Sequence, residues 1–201
     1  EHSKARILDI NVDKIHADLD NNQIVVIAGF QGVDCDGNIT TLGRGGSDTS
    51  AVAIAAALKA DECRIYTDVD GVFTADPKLV PSARCLNDIS YDEMRALSGS
   101  GAKVLNLNSV KIASKYNVPL RVLSSFNSVQ GTYITQYKKK SKVMTPLVSG
   151  IAYQANDVKL SVLNIPDTFD AIAQILRAIS EAGIAIDIIS QKNGFYGFID
   201  L

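Results

Sequence analysis

Histidine is almost missing from this chain: His2 and His16 are the only two among 201 residues. Chemistry that relies on an imidazole as general base therefore has little to draw on, and a Cys/His zinc site lacks nitrogen ligands. Cysteine is scarce as well. Cys35, Cys63 and Cys85 are far apart and odd in number, which argues for reduced thiols in a cytosolic setting. Cys63 falls in an expected strand and reads as a small core residue. No apolar run approaches the ~18 residues of a membrane span, and the amino terminus is too polar for a secretory signal. A targeting segment on a longer, organellar precursor is not addressed by these residues. Without a secretory context, the glycosylation triplet at Asn38 carries no weight. A net charge of −2 gives no electrostatic case for nucleic acid or an anionic membrane as partner.

What is present is the composition of a soluble globular protein of one or two domains, 46% hydrophobic and 21% charged. Its most telling stretch is TLGRGGSD at 41–48. This stretch stands between an apolar run, IVVIAGF at 24–30, and an alanine-rich helical pattern, TSAVAIAAALK at 49–59. The expected order is strand, polar loop, glycine-rich turn, helix. Such a turn offers backbone N–H groups and the positive end of the helix dipole to an anion. Arg44 adds a fork suited to a carboxylate or phosphate. Asp48 puts a carboxylate in the same turn, where a purely structural anion site would not want one. Together they point to phosphoryl transfer onto a carboxylate-bearing substrate, against the plainer reading of a tight turn with a surface Arg–Asp pair. Neither the dinucleotide fingerprint nor the P-loop pattern is matched.

A second block, IYTDVDGVFTADPK at 65–78, reads as a short strand ending in Thr67 and Asp68, then a turn at Asp70–Gly71. The carboxyl ends of strands are where open α/β sheets bind ligands. Phe73 could stack on an adenine and Lys78 could reach a phosphate. The plainer reading is a solvated loop of ordinary turn residues.

Taken together, TLGRGGSDTSAVAIAAALKAD, YTDVDGVFTADPKLVP and GAKVL resemble the aspartate kinases of the amino-acid kinase family. The resemblance runs from about residue 4 to 135 in the expected order, with KARILDI and NVPLRVLSSF fitting as well. It implies a partial αβα sandwich of the amino-acid-kinase type. The carboxy-terminal residues resemble the start of an ACT regulatory domain, a partial α+β, ferredoxin-like unit.

The activity so implied is ATP-dependent phosphorylation of the side-chain carboxylate of L-aspartate, a step in lysine, threonine and methionine biosynthesis. By resemblance, Arg44 holds the substrate α-carboxylate, Ser47 and Phe30 shape that pocket, and Asp48 organises the reacting centre. Gly45, Gly46, Thr67, Asp68, Phe73, Asp76, Lys78 and Lys103 match nucleotide-contacting positions. Magnesium is expected to be held mainly through the nucleotide phosphates, with no dedicated protein site. The substrate carboxylate is itself the nucleophile, so no general base is required, which agrees with the shortage of histidine. Asp167, Ile186, Asp187 and Gln191 match the lining of an effector site for lysine or threonine. A turn aspartate and a core strand are the plainer reading there.

Three departures qualify the resemblance. The Lys-[Phe/Tyr]-Gly-Gly loop and the substrate-binding glutamate of the family do not occur among these residues. Asn106-Leu107-Asn108 stands where a His-Pro pair is expected, within a helix expected over 102–116. Asp167-Thr168-Phe169-Asp170 replaces Asp-x-Pro-Gly. The expected layout is a catalytic part at 1–137, a basic linker at 138–146 and an ACT-like part at 147–201. That last part should associate with a second copy through an open sheet edge. Two rival readings stay open: a non-catalytic regulatory subunit that binds an amino acid, and another amino-acid kinase acting on glutamate or acetylglutamate.

Within this layout, strands are expected at 24–28, 118–123, 147–154, 158–163, 184–189 and 195–201. A helix is expected at 91–97, capped by Ser90 with Glu93 three residues on. Another runs over 169–181, with Phe169, Ile172, Ile175, Leu176 and Ile179 on one face and Gly183 at its end.

Overall fold

The computed structural model describes residues 5–136, 148–154, 157–166, 168–184, 186, 188–191 and 194–200. The chain forms two units, Glu1–Tyr153 and Gln154–Leu201.

The first unit opens with a polar helix, α1 (Asp13–Asp20), none of whose residues is buried. A hairpin of β1 (Gln31–Val33) and β2 (Ile39–Thr41) comes next. Its loop is closed by the Asp34 carboxylate, which accepts the N–H groups of Asp36 and Asn38 at 3.0 and 2.9 Å. Then come α2 (Gly46–Ala57), β3 (Cys63–Thr67), β4 (Asp88–Ser90), α3 (Tyr91–Gly99), α4 (Leu107–Tyr116), β5 (Leu120–Ser124) and β6 (Thr132–Thr135). The sheet order is β3-β5-β6-β4. The β3–β5 and β4–β6 pairs are parallel, and β5–β6 is antiparallel.

The core sits where α2, α3 and α4 meet this sheet. Val52, Met94, Val110, Leu120, Val122 and Ile134 are fully buried there, each stabilising by about 1.5–3 kcal/mol. Small residues carry the helix packing, with Ala53 and Ala55 buried on α2 and Ser109 and Ala113 on α4. Cys63 is buried as expected, and burial pushes its thiol up to about 11. The expected helix at 91–97 is α3. Its capping box is complete: Ser90 Oγ accepts the Glu93 N–H, and Glu93 accepts the Ser90 N–H at 3.0 Å. Buried Tyr91 donates to the Val118 carbonyl at 2.7 Å.

Several expectations are corrected. The apolar run 24–28 forms no strand, because no neighbour among the described residues offers it a ladder. The helix expected from 102 begins at Leu107, since Asn106 takes an extended backbone and caps it by accepting the Asn108 N–H. Residues 148–153 form no strand and belong to the first unit. The Ile151 N–H donates to the Thr74 carbonyl at 2.8 Å, and Ser149 Oγ donates to Glu93 Oε1. The basic linker at 138–146 lies outside the described residues.

The second unit contains β7 (Asp157–Leu163), α5 (Phe169–Glu181), β8 (Ile188–Gln191) and β9 (Gly194–Asp200). Its sheet is β7-β9-β8, antiparallel throughout. The strand expected at 184–189 begins later, at Ile188. Thr168 Oγ1 caps α5 by accepting the Ala171 N–H at 3.4 Å. Gly183 stands just past its end with φ +73°. Ile172, Ile175, Leu176 and Ile179 share the covered face, whereas Phe169 is 95% exposed: it opens the helix and projects outside that stripe.

Candidate active site

The 41–48 stretch turns from β2 into α2 on two left-handed glycines. Gly43 has φ +83° and Gly45, the N-cap, has φ +70°. The first-turn N–H groups of Ser47 and Asp48 have no carbonyl within the helix to donate to, and no side chain caps α2. They share the electropositive end of a 12-residue helix with Arg44. The Arg44 side chain is exposed and forms no ion pair or hydrogen bond among the described residues. Ser47 is exposed beside it.

Phe30 is drawn into the same place. Its backbone is left-handed, φ +70°. Its N–H donates to Ser50 Oγ at 3.1 Å, its carbonyl accepts the Leu42 N–H at 2.9 Å, and its ring lies against Gly46. Ser50 in turn donates to the Ser47 carbonyl at 2.9 Å. Asp48 is half-buried. Burial pushes its carboxyl above the ordinary value, offset in part by the Asn106 N–H, which donates to Oδ2 at 3.3 Å. A carboxylate whose charge is made costly by burial favours a cation beside it.

The nucleotide candidates occupy a separate loop. Thr67 ends β3, and its hydroxyl donates to Asp68 Oδ1 at 3.1 Å. The chain then turns at Asp70, whose carboxylate accepts from Asn127 Nδ2 at 2.7 Å. Buried Thr132 fixes the loop to β6: its Oγ1 accepts the Val72 N–H at 2.9 Å and donates to the Leu86 carbonyl at 2.6 Å. Phe73 pairs with Cys85 in an isolated bridge. The Asp76 carboxylate is engaged locally, accepting the Lys78 N–H at 2.9 Å; Lys78 itself is exposed. No hydrogen bond or ion pair among the described residues joins this loop to the 44–48 turn.

Lys103 is exposed in the irregular stretch before α4, three residues ahead of the one that touches Asp48. In the second unit, the Ile186 side chain lies against Gly197 on β9, and Gln191 is in register with Phe195 in the β8–β9 ladder. Asp167 and Asp187 lie outside the described residues.

The structure thus gathers Phe30, Arg44, Gly45, Gly46, Ser47 and Asp48, and leaves Thr67 to Lys78 as a second cluster. Sequence reasoning missed Ser50, Thr132 and the hydrogen bonds of Asn106 to Asp48 and the Arg44 carbonyl. For Asn106 a signal existed, an asparagine directly before a helical pattern. The bonds of Ser50 and Thr132 span 20 and 60 residues and leave no local signature.

Residues 2–124, more than half of the chain, match the amino acid kinase family. The aspartokinase of Pseudomonas aeruginosa is 54% identical over 191 residues, which cover 95% of this chain and 46% of that protein. The chain therefore spans a little under half the length of the curated relatives it matches. The crystal structure of E. coli aspartokinase III in complex with aspartate and ADP (R-state) matches with a TM-score of 0.78 at 30% identity, over 90% of this chain and 40% of that one. The form in complex with lysine and aspartate (T-state) matches with a TM-score of 0.73 at 28% identity, over 94% and 42%.

Proposed function

The chain belongs to the amino acid kinase family, and we propose that it serves the ATP-dependent phosphorylation of the L-aspartate side-chain carboxylate to 4-phospho-L-aspartate. The observation that carries this reading is the unpaired Arg44 guanidinium beside the uncapped start of α2, with half-buried Asp48 in the same turn. Arg44 takes the substrate α-carboxylate as a bidentate pair. Ser47 adds a hydroxyl, and Phe30 walls the pocket against Gly46. Asp48 would orient either a lysine ammonium or, with magnesium bound, one of its waters at the reacting centre. The side-chain carboxylate of the substrate is left free to act as nucleophile, so the protein has to supply only placement and charge neutralisation.

ATP, when bound, supplies the phosphoryl group that passes to this carboxylate. Thr67, Asp68, Phe73, Asp76 and Lys78 are its proposed contacts along the 67–78 loop, with Lys103 and the Gly45–Gly46 turn on the phosphates. The uncapped helix start fits an anion, and the exposed Lys78 and Lys103 fit a polyphosphate. Magnesium is proposed as an ion carried mainly by those phosphates, as is usual for an ion that keeps several waters and binds through substrate phosphates rather than an all-protein cage.

The second unit is proposed as an ACT-like regulatory part that binds an amino-acid effector, lysine or threonine, and associates with a second copy. The lysine-bound state of the E. coli relative supports the former. The latter is supported by β7 and β8, each of which pairs only with β9 among the described residues.

The test is ATP-dependent hydroxamate formation, after hydroxylamine trapping, with L-aspartate, L-glutamate or N-acetylglutamate as acceptor in the complete enzyme carrying these residues. Activity confined to L-aspartate is expected, and Lys78→Ala is expected to raise KM for ATP more than KM for aspartate. Activity on another acceptor, or the reverse KM ranking, would overturn the corresponding assignment.

A further inference from the structure

Asn106 is a crossing point between the start of α4 and the 44–48 turn. Its side-chain Nδ2 donates to the Arg44 carbonyl at 3.2 Å. Its Oδ1 accepts the Asn108 N–H at 2.8 Å and lies 3.5 Å from the Thr49 hydroxyl, whose one proton has the nearer Gly45 carbonyl at 3.2 Å. Its backbone N–H donates to Asp48 Oδ2 at 3.3 Å. Its carbonyl accepts the Ser109 hydroxyl at 2.6 Å and the Val110 N–H at 3.3 Å. One residue thereby fixes the peptide that carries Arg44 and the carboxylate of Asp48, from a position 62 residues away from the former.

The fit is close. A Cβ added to Gly45 would stand 2.3 Å from Asn106 Nδ2. Gly45 is therefore required both for its left-handed backbone and for the room it leaves this amide. Only an amide meets the whole demand. One end must donate to a carbonyl while the other accepts the Asn108 N–H, and turning the amide over would set Nδ2 against that N–H. Aspartate could not donate to the Arg44 carbonyl. Serine could cap α4 but could not span both elements.

We propose that Asn106 is a positioning residue for the substrate carboxylate site, holding the Arg44 peptide and Asp48 in register across the gap between α2 and α4. The proposal rests on the reading of that turn as the aspartate site. The arginine side chain is long and flexible, so its usefulness as a fork depends on a fixed peptide at its base. The brace acts at that base and makes no contact with substrate.

The experiment separates capping from bracing with Asn106→Ala and Asn106→Ser. Both bonds are lost in the alanine variant, whereas serine restores a capping oxygen for the Asn108 N–H. In the 201-residue chain, Asn106→Ala should lower the thermal midpoint and Asn106→Ser should recover most of it. Both should shift the backbone amide resonances of Gly45 and Gly46. In the complete enzyme, both should raise KM for L-aspartate by about five- to tenfold and raise KM for ATP by clearly less, because Lys78, Lys103 and the 67–78 loop still hold the nucleotide when the Gly45–Gly46 turn shifts.

A serine variant that restores the aspartate KM along with the midpoint would reduce Asn106 to a helix cap and overturn the proposal. An equal rise in both KM values would also overturn it. Should the unaltered enzyme form no aspartyl hydroxamate, the aspartate reading of the site falls. The brace is then judged by the amide resonances alone, and unmoved Gly45 and Gly46 signals would refute it.

Discussion

Two short runs rich in aliphatic residues, both of which read as buried strands, meet opposite fates in this chain. Residues 120–124, LRVLS, form β5, which lies between β3 and β6 and carries the fully buried Leu120 and Val122. Residues 24–28, IVVIA, form no strand, and Val26 is 92% exposed. Apolar character is shared, but hydrogen-bonding neighbours are not. A strand satisfies its backbone only through a ladder, and its side chains are buried only where helices or another sheet cover them. The difference between the two runs therefore lies in their surroundings.

The largest expected effect tests that contrast directly. Leu120→Ala should destabilise the chain by about 2–5 kcal/mol, while Val26→Ala should change stability by less than about 0.5 kcal/mol. Urea unfolding of the two variants measures both. A comparable loss from Val26→Ala would show that residues 24–28 are buried after all, and the contrast would fail.

This pair also marks how far the fold was legible from the residues. Periodicity and caps gave α3 with its capping box, α5 with its covered face, and the strands β5, β7 and β9, because each depends on neighbours a few positions away. The run 24–28 departs from its strand pattern because ladder partners are a property of distant residues. The start of α4 departs from the helical pattern because the Asn106 side chain caps the helix from an extended backbone. At the site, the glycine turn, Arg44 and Asp48 could be found from residue type and spacing. The bonds that hold them, from Ser50 to Phe30 and from Asn106 to Arg44, are long-range and could not.

A smaller effect sharpens the contrast from the packed side. The 148–153 segment forms no strand, yet it is held to the first unit by Ser149 on Glu93. Burial pushes the Glu93 carboxyl up, but the hydroxyls of Ser149 and Ser90 and the Ser90 N–H outweigh it, and the net direction is down from 4.5. A folded-state pKa below the unfolded one gives stability that is complete above the unfolded value and is lost as pH falls through the folded one. The thermal midpoint should therefore drop on acidification below about pH 4.5, and Ser149→Ala should make that drop shallower. At neutral pH the same substitution should cost about 1 kcal/mol. An unchanged acid profile in Ser149→Ala would mean that Glu93 is not tied to this segment.

The central claim is that the Arg44–Asp48 turn receives the carboxylate of aspartate, and steady-state kinetics of Arg44→Lys in the complete enzyme test it most directly. A lysine keeps the charge but not the fork. Losing a paired, desolvated contact costs about 2–5 kcal/mol, so KM for L-aspartate should rise by about 30-fold or more with KM for ATP nearly unchanged. Normal saturation by aspartate in that variant would contradict the account.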